Sequence, residues 1–313
     1  MTVVIVEKIF EMLLLTLAGV LVYKVGLIDE RATSKLSNLL LMFVLPTLIF
    51  ESYQMEFDPA LLHGLLVALG ASALVSAITI ALSPVLVRAG SGCSDDGVRR
   101  RVPVERLAVV YSNCGFIGIP LIEGLIGAEG VLYMAAYNTL FNLLFWTHGA
   151  WVMGDRCRLR DAWRHLLTPA VVAVVLGLAM FVCGVVLPEP VLEPVRMVAD
   201  MNTPLAMIVA GATLAQGKLF ESFRNVRVWW ASFVKLVVFP LLGVLVMAAL
   251  GIEFNVAFTV FIGLACPVAV IVIMFADRYE KDTAYAAQLF AVTTVLSAAT
   301  IPVLSIAATA LLG

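Results

Sequence analysis

The chain reads as long apolar runs separated by short polar interruptions. Ten runs stand out, at 6–25, 33–52, 61–88, 105–127, 131–153, 168–187, 195–215, 226–250, 255–276 and 284–311. Each is long enough for an α-helix to cross the hydrocarbon core, which takes about 20 apolar residues at a rise of about 1.5 Å each. The pattern predicts an all-α integral membrane protein with ten transmembrane helices.

Composition strengthens that reading. Of the 313 residues 62% are hydrophobic and 13% charged, and the mean hydropathy is +1.04. A soluble domain carries about twice that charged fraction. It could not cover so much apolar side chain with polar surface, whereas lipid needs no polar coat. The net charge of -2 and the lack of a basic domain speak against nucleic acid as a partner. The five cysteines, Cys93, Cys114, Cys157, Cys183 and Cys266, are scattered and have no C-x-x-C spacing. They give neither a disulfide framework nor a metal site, and read as small buried hydrophobes with two loop thiols. Glu7 and Lys8 precede the first run while Lys24, Arg31 and Lys35 follow it, the reverse of a cleaved signal peptide.

Charge alternates between successive connections. One set holds Lys24, Arg31, Lys35; Arg88, Arg99, Arg100, Arg101, Arg106; Arg156, Arg158, Arg160, Arg164; Lys218, Arg224, Arg227; and Arg278, Lys281. These are seventeen of the twenty basic residues. The other set holds only Lys8 and Arg196, with Glu51, Glu56, Asp58, Glu129, Glu189, Glu193 and Glu253. Positive connections stay on the cytoplasmic side, so both termini are expected outside a multi-pass protein of the inner (cytoplasmic) membrane.

The two halves echo each other. Gly26 precedes Pro46 by twenty residues and Gly184 precedes Pro204 by twenty; Pro84 has a rough counterpart in Pro240. Residues 1–153 and 168–313 are therefore expected as two five-helix repeats joined by a short cytoplasmic linker, 154–167. An odd number of spans per repeat inverts the second copy, giving a 5+5 inverted repeat, a frequent transporter architecture. The equivalent fourth and ninth runs both carry breakers: Asn113, Cys114, Gly115, Gly118 and Pro120 in one, Cys266 and Pro267 in the other. Proline removes a donor and clashes with the preceding turn, and glycine adds backbone freedom. Unpaired backbone at membrane depth is tolerated only where protein or a wet cavity satisfies it, so paired breaks point to a midplane site. Half-helix N-termini meeting there favour an anion. Two kinked but continuous helices are the alternative.

The stretch N-C-G-F-I-G-I-P-L at 113–121, with G-A-E-G-V-L-Y at 127–133, Y-N-T-L-F-N at 137–142 and C-P-V-A-V-I-V-I-M-F-A-D-R-Y-E-K-D at 266–282, resembles the auxin efflux carrier family, whose bacterial members look like malonate and malate permeases. The resemblance implies that the broken fourth and ninth helices cross. It implies a panel domain from spans 1, 2, 6 and 7 and a moving domain from spans 3–5 and 8–10. It also implies elevator-like alternating access for a small organic anion, a mono- or dicarboxylate. The long cytoplasmic insertion of plant members is absent, which argues against their mode of regulation and puts auxin itself in doubt as the substrate.

The substrate-binding candidates are Asn113, Gly115, Gly118, Pro120, Asn138, Asn142, Pro267 and Lys235. Asn113 can donate to a carboxylate or cap the broken helix. Asn138 and Asn142 share a helix face and either line a cavity or bond a neighbouring helix. Lys235, the lone base inside a run, either anchors substrate charge or snorkels to the cytoplasmic surface. Glu123 and Cys266 are the coupling-ion candidates, Glu123 being either a proton site or a rim residue. No metal site and no cofactor is expected; coupling to protons or sodium is open, and a homodimer is a candidate assembly. Small polar residues on the third run (Ser72, Ser76, Thr79, Ser83) and the tenth (Thr293, Ser297, Thr300) read as tight helix packing, and the lone histidines His63, His148 and His165 as loop-end residues. Rival readings are a bile-acid-type sodium symporter and an anion channel. A sodium–proton antiporter lacks its adjacent buried acids here, and an enzyme lacks a nucleophile–base set or clustered metal ligands at membrane depth.

Overall fold

The computed structural model describes residues 2–88, 96–154, 168–216, 223 and 225–313. Most of the expected linker, 155–167, lies outside these, as do Cys93, Cys157, His165, Arg156, Arg158, Arg160, Arg164, Lys218, Arg224 and the side chain of Arg99. Every expected run is helical. In chain order the helices are α1 (Thr2–Lys24), α2 (Glu30–Ser52), α3 (Pro59–Leu86), α4 (Asp96–Val110), α5 (Cys114–Ile126), α6 (Ala128–Leu144, carried on to residue 153), α7 (Pro169–Val182), α8 (Glu189–Gln216, interrupted at 200–201), α9 (Val226–Ala249), α10 (Phe254–Ala265), α11 (Ile271–Arg278) and α12 (Thr283–Leu312). Among the described residues, five helices (α2, α3, α8, α9 and α12) are individually long and apolar enough to cross a membrane; α5, α7 and α10 are shorter apolar helices.

Prolines shape these helices. π-helical segments occupy Leu40–Val44, Cys114–Gly118 and Val234–Val238, and each ends two residues before a proline: Pro46, Pro120 and Pro240. A proline ring clashes with the carbonyl four residues back and offers no N–H, so the turn before it widens. A fourth π segment, Phe145–Gly149 in α6, has no proline behind it, and nothing nearby accounts for it.

Helices α1 and α8 pack backbone to backbone. A Cβ on Gly19 would fall onto the Ile208 carbonyl, and one on Gly211 onto the Thr16 carbonyl. Helix α2 packs against α7 and both parts of α8. Large apolar side chains left uncovered, among them Leu21, Leu66, Val175 and Val303, follow the outer helix faces, where lipid replaces protein as the partner.

The interior divides into two hydrophobic cores. One gathers residues from α2, α3, α5, α10 and the C-terminal part of α12, including Leu45, Cys114, Ile119, Phe258 and Leu304. The other gathers residues from α4, the end of α6, the start of α9, α11 and the start of α12, including Tyr111, Phe145, Val234, Val268 and Phe275. Along both broken segments the boundary falls within three residues, between Tyr111 and Cys114 and between Cys266 and Val268.

Candidate functional site: the crossing of two broken helices

Helix α4 stops at Val110, and α5 starts at Cys114; α10 stops at Ala265, and α11 starts at Ile271. The unwound residues between them meet. Ser112 and Val268 form an isolated antiparallel bridge. The Asn113 amide donates to the Pro267 carbonyl at 2.7 Å, and the Ala269 amide to the Tyr111 carbonyl at 3.2 Å. The Val268 amide donates to Thr293 Oγ1 of α12 at 3.1 Å. Backbone groups that proline and glycine free from helical bonding are thus paired within protein, as the membrane interior demands. The alternative of two continuous, kinked helices is excluded.

The breakers divide the work. Pro267 lends its carbonyl to Asn113. Pro120 lies in the first turn after the π segment and is buried. Gly118 is a close-approach position: a Cβ there would sit 3.1 Å from Cys266 Sγ and 3.3 Å from Cys114 Cβ. Gly115 faces looser space, where a Cβ would lie 3.4 Å from Leu45 Cδ2 of α2 and 3.9 Å from Asn138 Oδ1.

Asn113 is 7% exposed and occupies the N-cap position of α5, yet its side chain makes no cap hydrogen bond. Its Nδ2 has no partner among the described residues. A buried amide donor left without a partner costs about 1–3 kcal/mol, so a ligand that accepts from it recovers that cost. Asn138 is also buried and accepts from the Cys114 thiol at 3.5 Å. Asn142 is turned back onto its own helix, its Nδ2 donating to the Asn138 carbonyl at 2.8 Å.

Lys235 lies in the π segment of α9 and is 1% exposed. Its ammonium donates to Ser112 Oγ, inside the crossing, so it does not snorkel to the surface. No carboxylate lies within ion-pair distance of it among the described residues. What it meets instead is the layer where α4 and α10 end, and helix C-termini carry partial negative charge that a cation offsets. With that charge answered, the N-termini of α5 and α11 remain as the electropositive ends at the crossing.

Other groups frame this layer. Tyr111 donates to the Leu144 carbonyl at 2.9 Å and sits 2.9 Å from His148 Nδ1. His148 is therefore tied to the broken segment rather than to a loop, a pairing of residues 37 apart that no spacing rule suggests. Thr293, read as a packing residue, caps the break. Cys114 and Cys266 are buried and free; Cys183 is exposed because α7 ends one residue before it. Glu123 accepts from Thr203 of α8 at 3.2 Å. A cavity of about 730 Å³ lies alongside, lined by α1, α8 and α12 and by Ile117 and Leu121 of α5. None of the ten candidate site residues lines it, though Ser297, read as a packing residue, does; it reaches the half-helix beyond the break through Leu121 and through Ile117, in the same π turn as Gly115 and Gly118.

A helical membrane protein with paired discontinuous helices at its centre belongs to the transporter class of folds. The comparison with known proteins agrees. The family described as membrane transport protein matches residues 4–305, and the chain belongs to that family, the auxin-efflux-carrier-like transporters. It is also similar to an uncharacterized transporter of Methanothermobacter thermautotrophicus, 24% identical over 310 residues that cover 96% of this chain and 97% of the relative. The protein is a multi-pass membrane transport protein.

Proposed function

We propose that the protein is a secondary transporter that moves a small organic anion, a mono- or dicarboxylate, across the cytoplasmic membrane by alternating access. One observation carries this reading: the buried, unpartnered amide of Asn113 at a crossing where two helix N-termini converge. A carboxylate accepts from both kinds of donor. Lys235 holds the opposite pole of the same crossing and sets the local field without an open path to the substrate.

The architecture we infer is ten crossings in two inverted repeats with both termini outside. Matched conformations at matched positions support the repeat. Gly26 and Gly184 both take positive φ, 82° and 65°, two residues beyond the ends of α1 and α7. After Gly26 the Leu27 amide reaches back five residues to Val22, and after Gly184 the Val185 amide does the same to Met180. Helices α1, α2, α7 and α8 form the panel, and α3–α6 with α9–α12 the moving body. The cavity between α1, α8, α12 and α5 lies on the boundary between the two.

Uptake of labelled malonate, malate and aromatic carboxylates into proteoliposomes tests the reading. Saturable counterflow of at least one acid is expected, and Asn113→Ala should abolish it while the purified variant stays monodisperse. Linear, unsaturable flux with single-channel current would make the protein a pore. Counterflow untouched in Asn113→Ala would move the site elsewhere.

A further inference from the structure

The cavity has a direction. At one end its lining includes Lys24 of α1 and Leu214 and Ala215 of α8; at the other it stops at Ile9 of α1, Leu121 of α5 and Met207 of α8. Just past that second end the two walls are tied together. Thr203, one turn before Met207, donates to Glu123, two residues after Leu121. On the α1 side Lys8, next to Ile9, lays its stem against Gly124, where a Cβ would lie 2.9 Å from Lys8 Cδ. This is a polar contact between α5, which carries the crossing, and α8, which packs backbone to backbone on α1.

The charges around Glu123 are unevenly matched. From α8 come Asp200, exposed, and Arg196; from α2 comes Glu51. Arg196 is already shared, lying 3.7 Å from Glu51, 2.6 Å from Glu189 and 3.9 Å from Glu193. From α1 the Lys8 ammonium bonds Glu11 at 2.8 Å. From α6 Glu129 accepts from Asn255 at 3.2 Å, and Tyr133 is buried. Asn202, beside Thr203, is fully buried with both side-chain polar atoms unpartnered among the described residues. Among the described residues no cation pairs with Glu123. An ionised carboxylate there accepts more strongly from Thr203 but is half-buried and faces Asp200 and Glu51; a protonated one escapes burial of charge and repulsion and still accepts from Thr203 through its carbonyl oxygen.

We propose that Glu123 is a proton-binding site whose loading ties α5 to α8 and so holds this end of the cavity shut. Loss of the proton strengthens the Thr203 bond but leaves a half-buried negative charge against Asp200 and Glu51, and that larger cost opens this end. A proton then binds one conformation better than the other, which is what coupling requires. The proposal rests on the alternating-access reading and deepens it, naming the proton as the coupling ion and Glu123 as its carrier.

The test uses no substrate, so its outcome is separate from that of the uptake assay. Leu17 of α1 and Val295 of α12 line the cavity from two different helices and are exposed. Spin labels on Leu17→Cys and Val295→Cys, in full-length protein with Cys93, Cys157 and Cys183 changed to serine, report the wall separation by pulsed dipolar spectroscopy. In liposomes, between about pH 5 and about pH 8.5, a range that brackets a buried carboxylate, the wild-type distance distribution should shift. Glu123→Gln should show the low-pH distribution at both, and Glu51→Gln with Asp200→Asn should shrink the shift. Glu123→Asp, which keeps the carboxyl, should retain pH dependence. A wild-type distribution that ignores pH, or a shift that survives in Glu123→Gln, overturns the proposal.

Discussion

At the scale of single residues, Lys235 is the sharpest case of a sequence signal with an unexpected meaning. A lysine inside an apolar run announces itself, because burying the charge costs at least about 2.5–3.5 kcal/mol on insertion scales. What the run does not announce is where the ammonium goes. It goes to Ser112, between two helix ends, because the turn before Pro240 widens and carries it there. Removing a buried charge without leaving a hole is often neutral or stabilising. Lys235→Met is therefore expected to melt at the same temperature as wild type or higher, and to lose transport at least about tenfold, roughly 1.4 kcal/mol of barrier. A fall of several degrees in melting temperature would mean that the ammonium is structural cement rather than part of the working crossing. Asn113 was legible from its motif; that its Nδ2 is left unpartnered was not, since an N-cap asparagine ordinarily bonds the turn that follows.

At the scale of elements, hydropathy located all ten helical runs, and the breaks in the fourth and ninth fell where glycine and proline placed them. Three features escaped. The π segments need the pairing of a proline with the turn before it, a signal present at Pro46, Pro120 and Pro240 but easily read as a simple kink. Helix α8 begins at Glu189, ahead of the apolar run, because Arg196 binds three acids and makes a charged first stretch stable as helix. The Tyr111–His148 contact joins residues distant in sequence and follows only from the packing of α4 on α6. Where the half-helices touch, space is already used. Gly118→Val should overpack against Cys266 and Cys114 and cost about 1–3 kcal/mol, read as a lowered melting temperature in detergent. The N-terminus of α12 carries a pH-dependent element of its own. Asp282 caps it, accepting from the Tyr285 amide at 2.9 Å, and pairs with Arg101 at 2.6 Å. Partial burial works to raise the Asp282 pKa, but the Arg101 hydrogen bond and charge outweigh it and hold the carboxyl below its ordinary value. A depressed folded-state pKa gives stability that is present above the ordinary carboxylate range and is lost as pH falls through the folded value. The pair is half exposed, so its share is at most about 1 kcal/mol. Asp282→Asn should flatten the acid limb of a melting-temperature profile, and an unchanged limb would show the pair to be idle.

At the scale of the whole molecule, the crossing lies where two hydrophobic cores meet, and that position explains why polar residues collect there. Apolar packing dominates each core; the layer between them must accommodate two unwound backbones, four half-helix ends and a lysine. Family membership establishes a membrane transport protein. The cargo and the path follow from this layer only if an anion binds it. A thermal-shift screen of the purified protein against mono- and dicarboxylates, run in parallel on Asn113→Ala, asks that directly. The account predicts that at least one acid raises the melting temperature of the wild type and leaves that of Asn113→Ala unmoved. Equal shifts in both proteins, with the variant folded, would contradict it.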